Sequence, residues 1–287
     1  MVALRGLESS IARLTGVGAM RRGVGPCRAG GLARGGSHEI DNIIRKLNLG
    51  GYFSHPENRA TVERAVTSAL ENGLFESQAI TLGKKIGEIA HSGDNGSAER
   101  AFAALPEAFK AAKENGLAPD QALDLIGEIV NIVTTRSDGR PNYGLYRGYA
   151  DAILLTLPSV LPTCQKAHPS GQEKVDFLKK IIERARVHEA QGHIVHGGML
   201  GDAVQEAFQI IPVASELGIT PNEILLGYYE ELGYSPIELH YFRKVMKEVK
   251  GGDQPLDETA VHVLLVKAQD RATADIHAYG DMMYGEP

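Results

Sequence analysis

Glu189, His193 and His196 are the residues of this chain whose types and spacing come nearest to chemistry. They stand at i, i+4 and i+7, so on a continuous helix they share one face within about 60°. A carboxylate and two imidazoles so placed can hold Zn²⁺ with one position open for water. That is the basis for reading the chain as a metal-dependent hydrolase. His188 does not extend the set to the His-Glu-x-x-His of zinc proteases, because five steps rather than four separate it from His193. The competing reading is a solvated helix end. Gly192 weakens the helix, Gly197-Gly198 ends it, and histidines beside a glutamate suit the negative end of a helix dipole. Zinc is the one cofactor the sequence raises, and the leading reading has none.

A second set, His262, Asp270, Asp275 and His277, falls near the carboxyl end. Asp270 and His277 share a helical face, whereas Asp275 and His277 do not. Catalysis would require these side chains, Asp270 above all, to meet the first set across the fold. Otherwise they form an exposed polar face.

The stretch from Thr134 to Tyr149 is rich in recognition chemistry. It gathers Arg136, Arg140 and Arg147 with Tyr143, Tyr146 and Tyr149 around Gly139, Pro141 and Gly144. Arg and Tyr are enriched at binding hot spots, and loops on a rigid scaffold often carry function. These six residues are the expected contact region for a protein or peptide partner. The alternative is a lid, with tyrosines packed on the helices and arginines paired with acidic neighbours. No glycine-rich phosphate loop with a Lys-Ser/Thr is present, and no Gly-x-Ser-x-Gly elbow. Neither Cys27 nor Cys164 stands in a Cys-His setting, and two cysteines make no disulfide framework.

The remainder reads as the architecture that must position these residues. A pattern of a helix-like run, a turn with Gly and a second run recurs as Ala69-x-x-x-Gly73-x5-Ala79, Ala112-x-x-x-Gly116-x5-Ala122 and Ala214-x-x-x-Gly218-x5-Ile224. Such recurrence is the mark of stacked helical hairpins. A further unit aligns Leu105-Pro106 with Leu157-Pro158 and Ala112 with Cys164, with its turn at 167–171 and its second helix running to about His196. Helices are expected from Glu39 onward, with Thr220 capping the one that follows Gly218 and Pro221 at its first position. A last long helix is expected from Leu256 to His277. No stretch alternates with period two for long enough to be a strand. The expected fold is all-α, with tandem helical hairpins stacked as an irregular α-solenoid-like array over residues 39–287.

Ala214-x-x-x-Gly218-x5-Ile224 also fits the core of a DNA-binding helix-turn-helix. Its second helix, however, carries Glu223, Glu230 and Glu231 with no Lys or Arg, which phosphate would repel. Charge over the whole chain agrees. Residues 1–38 hold six Arg and one acid for a net of +5, leaving −11 on the rest. An acidic body lacks the basic patch that displaces counterions from nucleic acid. In the basic tail, Leu4, Leu7, Ile11 and Leu14 lie at i, i+3, i+7 and i+10 beside Arg5 and Arg13. The tail is read as disordered or as a mitochondrial or plastid transit peptide, with a cytoplasmic protein as the first expectation. No apolar run reaches membrane-spanning length. The leading functional expectation is a non-enzymatic helical-repeat protein that binds a protein or peptide.

Overall fold

The Ala69, Ala112 and Ala214 carbonyls each accept a hydrogen bond from an amide five residues on, from Leu74 at 3.1 Å, Leu117 at 3.0 Å and Ile219 at 2.9 Å. The intervening Gly73, Gly116 and Gly218 take φ of +91°, +75° and +81°, which glycine enters without the Cβ clash other residues suffer. This is the helix ending in which the second residue past the cap closes on a carbonyl of the last turn and its apolar side chain packs back. Leu74, Leu117 and Ile219 are accordingly buried. The recurring Ala-x-x-x-Gly pattern is therefore a shared way of stopping a helix and turning the chain.

The computed structural model describes residues 32–91, 95–135, 150–192, 197–249 and 256–284. The chain divides after Ser37, and the unit described below is His38–Pro287. It is all-helical, with no β-strand among the described residues. Helix α1 (Leu32–Leu47) starts ahead of Glu39, where the stripe of Ile40, Ile43 and Ile44 placed it, and a 3₁₀ turn (Tyr52–Ser54) follows. The hairpins are α2 (Pro56–Glu71) with α3 (Glu76–His91), and α4 (Asn95–Glu114) with α5 (Pro119–Thr134). After α6 (Ala150–Leu154) come α7 (Leu157–Cys164) with α8 (Gly171–Ala190), and α9 (Gly197–Glu216) with α10 (Glu223–Glu231). α11 (Pro236–Val249) and α12 (Glu258–Tyr284) complete the order.

First helices pack in succession, α2 on α4, α4 on α6 and α7, α7 on α9, α9 on α11. Second helices do the same, α3 on α5 and α5 on α8, while α12 covers α11. The arrangement is compatible with a stacked, solenoid-like array. One continuous core results, with Phe102, Phe109, Phe208, Phe242 and Tyr229 fully buried among aliphatic neighbours. Each such side chain contributes about 1.5–3 kcal/mol by leaving water. Cys164 lies in this core, and burial pushes its thiol up to about 12, so it is inert as a nucleophile.

The hairpin turns touch one another along one edge. A Cβ on Gly73 would lie 2.9 Å from Pro119 Cγ, and one on Gly171 only 2.7 Å from the Gly116 carbonyl oxygen. His168 Nε2 lies 2.7 Å from the Pro221 carbonyl oxygen, and the Leu256 amide donates to the Leu217 carbonyl at 3.1 Å. Lys174, the charged residue most fully withdrawn from water among those described, is part of the same edge. Its Nζ donates to the Asn115 carbonyl at 2.7 Å and to Gln165 Oε1, tying α8 to the ends of α4 and α7.

Several expected boundaries move. α8 ends at Ala190 rather than near His196, because Gly192 takes φ +81° and the chain turns there. The cap after Gly218 is Asn222, whose Oδ1 accepts from the Ile224 amide at 2.9 Å, and not Thr220. Pro221 is consequently outside the helix. No helix among the described residues is long and apolar enough to cross a membrane.

Candidate functional site

The residues first singled out for partner contact, Arg136, Arg140, Tyr143, Tyr146, Arg147 and Tyr149, lie outside the described residues, as do His193 and His196. Glu189 is described and half-buried on α8. α8 itself ends at Ala190, short of both histidines. His188 faces α10: its Nε2 lies 2.7 Å from Glu230 Oε2, and its ring lies 5.2 Å from that of Tyr234. Of the carboxyl-terminal set, the side chain of His277 lies outside those described. His262 Nδ1 lies 3.3 Å from Glu231 Oε1 on an exposed face, while Asp275 accepts from the Tyr241 hydroxyl. Among the described residues, no group of three His, Cys, Asp or Glu side chains is placed to hold a metal.

The concave feature that the fold does build is a groove of about 780 Å³ between α9, α11 and α12. Amphipathic spacing explains how each helix contributes. α9 buries Val204, Phe208 and Ile211 and turns Asp202, Gln205 and Glu206 toward the groove. α11 buries Leu239, Phe242, Val245 and Met246, which leaves Pro236, Ile237, His240 and Tyr241 along its open side. α12 buries Val261, Leu265, Ala268 and Ala272 and presents Asp275 and Ile276. Ile237 is 38% exposed and Ile276 54%, so both offer apolar surface to whatever enters.

The charges of the groove are unequally committed. Arg243 holds Glu206 through Nε at 2.7 Å and Nη2 at 3.0 Å, and His240 Nδ1 lies 3.1 Å from the same carboxylate. The forked geometry is the strong form of such a pair. Tyr241 donates to Asp275, which holds the phenol above its ordinary range, and Lys244 Nζ sits 5.1 Å from the Tyr241 ring centroid. Asp202 is different. Among the described residues its side chain makes no hydrogen bond and no ion pair, although it is half-buried. Burial first, and the Glu206 carboxylate second, push its carboxyl up to about 6.

A second cleft is spanned by its own side chains. In the cleft between α3 and α5, Lys85 donates to Asn131 at 3.0 Å. Two of its acids pair with α8, Lys179 with Asp124 at 2.9 Å and Arg186 with Glu128 at 3.0 Å. Further along α8, Lys180 and Arg184 reach Glu223 of α10 at 2.5 Å and 3.1 Å. The α9–α11–α12 groove escapes sequence reasoning because its two isoleucines stand apart, one each on α11 and α12. A signal was nonetheless present. Asp202 and Glu206 are like charges at i, i+4, which repel on a helix and require a compensating cation.

Comparison with models of known families, with curated proteins and with solved structures finds no match to this chain.

Proposed function

We propose that this protein is a non-enzymatic helical scaffold whose groove between α9, α11 and α12 binds a peptide or a segment of a protein partner. The observation that carries this reading is the combination of two exposed isoleucines, Ile237 and Ile276, with a carboxylate, Asp202, whose side chain has no partner among the described residues, in one concave surface. An apolar lining with a few placed polar groups is the usual make-up of a binding site. Helical grooves commonly take an extended or helical segment by its apolar anchors. The stretch 136–149 is a second contact region on sequence grounds. The alternative, a metal-dependent hydrolase built on Glu189, His193 and His196, rests on sequence spacing alone, as both histidines lie outside the described residues. For the compartment, we infer the cytoplasm, because two cysteines make no disulfide framework of the kind secreted domains carry.

The test is selection of a random dodecapeptide display library on the purified protein. Enriched peptides are expected, and Ile276→Asp should weaken them by about tenfold while the helical circular dichroism is unchanged. Because Ile276 is exposed, this change leaves the core intact. Peptides that bind Ile276→Asp as well as the parent protein would move the site elsewhere. Alanine at Arg140, Tyr143, Tyr146 and Arg147 then shows whether 136–149 is that place.

A further inference from the structure

Resting on the peptide-binding reading above, we infer that the occupant of the α9–α11–α12 groove is a segment that carries a lysine or arginine between aliphatic residues, its cation set against Asp202. The argument is one of charge complementarity inside an apolar surface. The groove is lined by three carboxylates, and two of them are already engaged, Glu206 by Arg243 and His240, and Asp275 by the Tyr241 hydroxyl. Asp202 alone of the three has no partner among the described residues. It sits four residues from Glu206 on the same face of α9, so a second carboxylate stands beside it, and Arg243 is already spent on that one. Burial also disfavours its charged form, which is the state a cation would restore. Lys and Arg suit this surface because their aliphatic stems lie along apolar walls while the head reaches a charge. Aliphatic neighbours of that cation then cover Ile237 and Ile276, which stand open on either side of the groove, on α11 and α12.

An acidic or purely aliphatic occupant fits less well. The first would add a charge beside Asp202 and Glu206, and the second would seal Asp202 from water with nothing to replace it. A cation turns that penalty into a paired contact.

The experiment uses dodecapeptides enriched on the full-length protein, resynthesised with a fluorophore and titrated by anisotropy. Each cationic peptide is compared with its norleucine counterpart, on the parent protein and on Asp202→Asn. Enriched sequences are expected to carry Lys or Arg flanked by Leu, Ile or Val. Norleucine should weaken binding to the parent by about tenfold and binding to Asp202→Asn by less than about twofold. Peptides that lose binding on Ile276→Asp yet ignore the norleucine exchange would overturn this inference and leave the groove as the binding site. An exchange that weakens binding equally on Asp202→Asn would overturn it in the same way. Peptides indifferent to Ile276→Asp would overturn the groove itself, and this inference with it.

Discussion

Lys174, on the edge where the hairpin turns meet, and Asp202, in the groove at the carboxyl-terminal end, have both been drawn out of water, and the fold treats them in opposite ways. Lys174 is almost wholly buried, and its ammonium is given the Asn115 carbonyl and the Gln165 side chain as acceptors. Burial holds its pKa below the ordinary lysine range, yet the hydrogen bonds make the charge a tie between α4, α7 and α8. Asp202 is only half-buried, and the described residues give it nothing. A buried polar group with its partners in place belongs to the architecture. One that lines an open groove without them is where we propose that a partner docks.

The largest effect expected from breaking this comparison is at Lys174. Lys174→Met keeps most of the volume but leaves the Asn115 carbonyl and the Gln165 carboxamide facing an apolar side chain. Losing two charge-assisted bonds from the buried Lys174 ammonium should cost about 3 kcal/mol, read as a lower midpoint in urea. An unchanged midpoint would mean that Lys174 is merely tolerated, and the contrast with Asp202 would lose its structural half.

A slightly smaller effect is expected at Gly171, which tests how tightly the same edge is closed. An added Cβ would stand 2.5 Å from Gln121 Oε1 and 2.7 Å from the Gly116 carbonyl oxygen. The glutamine can swing aside, whereas the carbonyl belongs to the α4–α5 turn and cannot. Gly171→Ala should therefore destabilise by about 2 kcal/mol. Calorimetry would show it as a lower melting temperature, and a neutral result would mean that α8 can slide away from its neighbour.

The closed edge was far more legible in the sequence than the groove. Gly73, Gly116 and Gly218 announce their turns because a left-handed residue after a helix narrows the choice to glycine, and the apolar residue after each glycine completes the motif. Ser170 and Glu173 likewise announce the start of α8, where each side chain caps the other's amide, at 3.2 Å and 2.9 Å. Such signals are local, spanning a few residues. The groove depends on Ile237 and Ile276, thirty-nine positions apart, meeting across two helices. Nothing near either residue encodes that meeting. The expected continuation of α8 to His196 fails for a related reason. His193 and His196 fit the helical period, but Gly192 decides the local conformation, and it turns left-handed.

The smallest effect, and the one that most sharpens the contrast, is a gain of stability at Asp202. Its carboxyl rises from the ordinary 3.8 to about 6 in the folded protein, through burial and through Glu206 on its own helix. The other ionisable groups of the groove, His240 on α11 and Asp275 on α12, are occupied with Glu206 and Tyr241, and Arg243 is spent on Glu206. An acid whose folded pKa is raised leaves stability intact below its unfolded pKa and removes it as pH climbs to the folded value. Folding should therefore be penalised progressively between about pH 4 and pH 6, with the penalty constant above. At about 1.4 kcal/mol per pH unit the full displacement is worth about 3 kcal/mol, which partial solvent access reduces to roughly 1–2. Asp202→Asn should match the parent protein near pH 3.5 and exceed it by about 1–2 kcal/mol at pH 7.5, measured by urea unfolding at both. A variant that gains stability while losing cationic peptides would show that the carboxylate serves binding at the expense of the fold. If the two proteins unfold alike at both pH values, Asp202 is no more strained than a surface carboxylate, and the groove loses the feature that sets it apart from the closed edge.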